Sequence, residues 1–100
     1  MNIGQELQKH YPDLYPEVEA IFNKYDPMDF QPGIAVSKNE YDLEIWEFIP
    51  HLKSKKEEKE LYQLLLDIFY DKFGEETIRN QEKQRLKKIA QEIGRLDISP

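Results

Sequence analysis

Asp26, Asp29 and Glu44, with either His10 or His51, are the side chains of this 100-residue chain that could gather around a metal ion. A metal site legible in sequence shows tight spacing: two histidines one helical turn apart, or an oxygen-rich loop bent at a glycine. Neither pattern occurs, so Asp26 reads as closing a helix and opening a turn before Pro27. Nucleophilic chemistry has as little to stand on. Of the Ser/Thr hydroxyls, Ser37, Ser54, Thr77 and the tail residue Ser99, none lies in a G-x-S-x-G elbow or a Ser/His/Asp grouping. Four scattered glycines build no phosphate cradle. The absence of cysteine removes disulfides, thiol catalysis and thiolate zinc sites together. The expectation is a chain that is not an enzyme and that uses no cofactor and no metal.

Charge carries more information. The net charge is −6, but residues 1–50 hold ten acids against three lysines, and residues 51–100 hold ten acids against eleven bases. An acidic first half repels nucleic acid and attracts basic proteins. Arg79, Lys83, Arg85, Lys87 and Lys88 form the one basic run; without interleaved aromatics it reads as a solubilising helix face rather than a phosphate contact. The opening residues show no basic stretch followed by an apolar run, and the longest apolar cluster, LLLDIFY, is short and broken by Asp67. No secretion signal, no membrane and a cytoplasmic location are therefore expected.

The elements that would position these residues are all helical. With 39% hydrophobic and 34% charged residues, the chain has the composition of a single core-forming domain, residues 1–100. Ile3, Leu7 and Tyr11 mark short first turns, expected to be frayed or loosely docked. From Asp13 or Tyr15, the residues Leu14, Val18, Ile21, Phe22 and Tyr25 recur at helical spacing until Asp26-Pro27. Pro32-Gly33 then turns the chain, with Met28, Phe30 and Ile34 pinning the elbow. Tyr41, Ile45, Phe48, Ile49 and Leu52 share one face of a second helix that Pro50 bends or ends. Ser54 and Glu57 match a capping box before a third helix, in which Leu61, Leu64, Leu65, Ile68 and Phe69 face inward and Gly74 closes. A last helix, from Thr77 or Asn80, buries Ile78, Leu86, Ile89, Ala90, Ile93 and Leu96. The expected fold is all-α: a compact four-helix bundle with a long Pro/Gly-containing loop between the first two main helices.

An aspartate-proline after a helix, an aromatic and a glycine, then Tyr-Asp-x-Glu opening the next helix resembles the small, uncharacterised YugE-like helical proteins of bacteria. The matching residues are Asp26, Pro27, Phe30, Gly33, Tyr41, Asp42 and Glu44, and the likeness extends over roughly residues 20 to 96. The chain also carries IAVSKNE between the glycine and Tyr41, which that family lacks or shortens. The resemblance implies a helical fold and no reaction.

The second helix is the most informative surface. At 100° per residue, Glu40, Glu44, Glu47 and His51 fall on one stripe, while Leu43 and Trp46 fall on a sector outside the core arc. One reading is a solvated acidic edge with Trp46 packed against another helix. The other is a protein-contact surface of Asp29, Glu40, Asp42, Leu43, Glu44, Trp46 and Glu47, where acids steer a basic partner and Trp46 anchors it. Size, acidity and helical build are also like those of immunity proteins that neutralise a cognate bacterial nuclease-type toxin, a likeness of class alone. The expected function is that of a non-catalytic protein-binding protein of this kind. Its partner would be a basic protein such as a toxin domain, and the chain itself a monomer or weak homodimer. The alternative is a cytosolic helical adaptor or regulatory protein without a toxin partner.

Overall fold

A computed structural model of the chain describes residues 2–28, 41–54 and 56–96. Among these residues five α-helices follow in order: α1 (Ile3–His10), α2 (Leu14–Tyr25), α3 (Asp42–Phe48), α4 (Glu58–Phe73) and α5 (Asn80–Gly94). A 3-10 helix, Ile49–Lys53, continues directly from α3, with Pro50 in its first turn where the missing N–H is no loss. No strand occurs among the described residues. The Pro/Gly loop expected after α2, including Phe30, Gly33 and Ile34, lies outside them.

α1 is firmer than its sequence suggested. The Asn2 side chain accepts the Gly4 N–H at 2.8 Å and caps the helix, and Leu7 is wholly buried. α2 ends where Asp26 turns left-handed (φ 41°), its N–H still donating to the Phe22 carbonyl at 2.9 Å. The Tyr41 hydroxyl donates to Asp26 Oδ1 and accepts the Met28 N–H at 3.1 Å. Arg85 of α5 donates to the Asp26 carbonyl at 3.0 Å. The elbow that begins at Asp26 is therefore tied to both α3 and α5, and this interior bond gives Arg85 a structural task within the basic run.

The cap of α4 differs from the expected one. Glu57, not Ser54, is the N-cap, and its N–H donates to Glu60 Oε1 at 3.3 Å. Ser54 instead accepts from Lys56 Nζ at 3.3 Å. The 3-10 helix uses the chain up to Lys53, so the helix entry moves three residues onward. Gly74, at φ 86°, closes α4 in a backbone region that favours glycine. α5 opens on Arg79, whose N–H donates to Glu82 Oε1 at 2.9 Å.

The core follows the apolar stripes. α4 and α5 share the largest helix–helix contact; α2 rests on α5, while α3 lies against both α4 and α1. Phe22 packs its ring 6.0 Å from Tyr41, 6.0 Å from Phe48 and 6.4 Å from Phe69, joining α2, α3 and α4. A radius of gyration of 12.8 Å is that of a folded chain of this length, about 13 Å.

Candidate protein-contact surface

α3 is seven residues long and is buried on more than one side. Tyr41, Ile45, Phe48, Ile49 and Leu52 face the core, as their spacing predicts. Leu43 and Trp46 remain 53% and 43% exposed, the large hydrophobic side chains most open to solvent among the described residues. They are three residues apart on one face, with Glu47 and Pro50 also exposed one turn from Leu43 and Trp46 respectively. Trp46 is thus not packed away against a neighbouring helix.

The acids of α3 divide differently from the stripe read in the sequence. Asp42 and Glu44 are buried, at 5% and 4% exposure, and only Glu47 of the three reaches solvent. The expected solvent-facing edge is corrected to that extent: α3 lies against α1, with Gly4 beside Asp42, and against α4, whose Lys72 acts on Glu44, so it is packed on more sides than periodicity alone assigns. Asp29 and Glu40 lie outside the described residues.

Each buried acid has its own setting. Tyr15 of α2 donates to Asp42 Oδ1 at 2.7 Å, and its hydroxyl is also 2.8 Å from Glu19 Oε2. One phenolic proton between two carboxyl oxygens is strongly retained: burial first, then the bonds to Asp42 and Glu19, drive the Tyr15 pKa well above its usual value. Glu44 is pushed up to about 7, by desolvation above all, with Lys72 pulling the other way and Glu47 and Asp42 adding repulsion. Lys72 of α4 is engaged by Glu47 at 2.6 Å, and that bond raises the lysine's pKa.

Gly4 makes the Asp42 site possible. A Cβ at this position would lie 2.7 Å from Asp42 Oδ2 and 3.3 Å from the Tyr15 hydroxyl. Gly4→Ala gains up to about 1 kcal/mol of helix propensity but forces apart a pinned carboxylate, an overpacking cost of about 1–3 kcal/mol. Net destabilisation of up to about 2 kcal/mol is expected in urea unfolding. Gly94→Ala is the contrast: its Cβ would meet Leu61 at an ordinary 3.7 Å, so the same substitution there should be neutral or stabilising.

Other candidate chemistry is not assembled. Among the described residues no three His, Asp or Glu side chains are placed to hold a metal ion. His10 instead lies 3.4 Å from Glu6 on α1, and Asp26 is bound to Tyr41. A groove of about 260 Å³ between the 3-10 helix and α4 is lined by His51, Lys56, Glu60, Gln63, Leu64 and Asp67. Gln63 already donates to Asp67 there at 3.0 Å, and the lining mixes both signs of charge. No described helix is long and apolar enough to cross a membrane.

The outward Leu43 and Trp46 carried a sequence signal: they fall outside the core arc of their helix. The Tyr15–Asp42 bond did not, because its partners are 27 residues apart and neither type announces the other. Comparison of the chain with family models, with curated proteins and with solved structures gives no match.

Proposed function

We propose that the chain is a non-catalytic protein-binding domain whose contact face is the outer side of α3. The observation that carries this reading is the exposure of Leu43 and Trp46 together on a helix that is otherwise held to its neighbours. Exposed aromatics flanked by aliphatic groups are the anchors on which interfaces concentrate their energy. Glu47 adds an acidic rim, and the −7 balance of residues 1–50 favours a basic partner. Asp42 and Glu44 belong to this proposal as the groups that set the helix in place, and Asp29 and Glu40 as further acids of the same half. The concrete form is an immunity protein of helical-bundle build that covers the basic substrate cleft of a nuclease-type toxin in the cytoplasm. The YugE-like resemblance is compatible with the second reading, a helical adaptor using the same face on a different partner.

The test is co-purification with the product of the adjacent gene, and protection of cells from that product's toxicity. Trp46→Ala should weaken the complex about 30-fold or more, the effect of a hot-spot residue worth 2 kcal/mol. Its effect on folding should stay within about 0.5 kcal/mol, as for an exposed position. Association should slow steeply with added salt. Unchanged affinity in Trp46→Ala would move the interface away from α3. A stable complex that gives no protection would favour the adaptor.

A further inference from the structure

Three carboxylates, Asp42, Glu44 and Glu47, stand within six residues on one short helix, and one ammonium group, Lys72, answers them from α4. Asp42 is satisfied separately by Tyr15. Glu47 holds Lys72 at 2.6 Å from the solvent side, while Glu44, three residues earlier, is 96% shielded from water. Asp71, next to Lys72 on α4, acts on the same lysine and adds a further negative charge to the cluster. Glu19 of α2 reaches the junction only through Tyr15. On α1, His10 is directed to Glu6 and Lys9 is exposed, as are His51 and Lys53 on the 3-10 helix. Among the described residues, an ionised Glu44 would therefore share Lys72 with Glu47 and with the pull of Asp71, at 4% exposure to water.

We propose that Glu44 is a proton-operated latch on α3: with a proton on its carboxyl group α3 stays docked on α1 and α4, and loss of that proton to solvent lets α3 open without the rest of the fold. The regulation follows at the contact face, since Leu43 and Trp46 are displayed by this helix; that consequence rests on the proposed function, whereas the latch itself does not. The raised pKa of Glu44 agrees in direction and places the change near neutrality.

Hydrogen–deuterium exchange on the unbound chain tests the latch without any partner. After correction for intrinsic amide chemistry, the opening equilibrium of the α3 amides from Ile45 to Phe48 should rise about 10-fold between pH 6 and pH 8. They should exchange faster than the Leu86, Ile89 and Ala90 amides of α5 throughout. Glu44→Gln, which keeps the shape and cannot ionise, should abolish the rise. Flat α3 exchange in the parent chain, an unchanged rise in Glu44→Gln, or α3 and α5 amides exchanging at one common rate would each overturn the proposal. A latch confirmed in this way, together with unaltered partner binding by Trp46→Ala, would leave the device standing and remove only its link to the contact face.

Discussion

Phe22→Ala should cost about 3–5 kcal/mol of folding stability, the usual loss on truncating a fully buried phenylalanine. A domain of this size has about 5–15 kcal/mol in total, so the variant would sit near the limit of folding. The position matters because one ring meets three others, at the N-cap and end of α3 and on α4. Tyr41 precedes α3, Phe48 ends it, and Phe69 belongs to α4. A cavity here cannot be closed by moving one helix, because each of the three is also fixed elsewhere. Tyr41 is bound to Asp26 and Met28, α3 is held through Glu47 to Lys72, and α4 packs along α5. Urea unfolding followed by circular dichroism measures the loss. Phe22→Leu, which keeps most of the volume, should cost less than about 1.5 kcal/mol. A loss below about 1 kcal/mol in Phe22→Ala would show that the site collapses freely and that the four rings do not hold the helices together.

The same residues explain what sequence can reveal of such a fold. Val18, Ile21 and Phe22 on α2, Leu61, Leu65 and Phe69 on α4, and Leu86, Ile89, Ala90 and Ile93 on α5 are each buried on the stripe that their spacing defines. Packing on one side is a local property of a helix, and periodicity records it. Packing on a second side depends on where another element comes to rest. α1 offers only Leu7 as a fully buried side chain, so its sequence gave little sign that it would seat firmly and cover part of α3. That seating sets Gly4 against Asp42, whereas Glu44 lies where Lys72 of α4 acts on it. The proposed contact face is half legible for the same reason: Leu43 and Trp46 lie off the core arc of their helix, but the burial of the acids beside them depends on the packing of other elements. The cap of α4 is a different case. Ser54-x-x-Glu57 and Glu57-x-x-Glu60 both satisfy the reciprocal pattern, and the choice falls to the length of the preceding 3-10 helix.

Glu44→Gln should stabilise the chain in mild alkali and do little in acid. The carboxyl titrates near pH 7 when folded and near 4.5 when unfolded, so the folded state binds the proton more tightly. Below about pH 4.5 both states carry the proton and Glu44 imposes no electrostatic penalty. As pH rises from 4.5 to 7, the unfolded chain sheds the proton first and stability falls; above 7 the loss is complete and constant. The displacement corresponds to about 3 kcal/mol at pH 8 and about 1 kcal/mol at pH 5. Glutamine removes the ionisable group while keeping the side chain's size, so the gain in the variant should follow that curve in urea unfolding at pH 5, 6.5 and 8. Lys72→Met gives the opposite prediction for the same site. It removes the cation that attracts Glu44 and takes away the partner of Glu47, so its added destabilisation should appear above about pH 7, where Glu44 ionises in the folded chain, and grow from there. If Glu44→Gln gained nothing at pH 8, the burial of this carboxyl would have to be compensated in its ionised form. Lys72, the one cation that acts on it from α4, would then be shared by Glu44 and Glu47, and Lys72→Met would be the more damaging substitution.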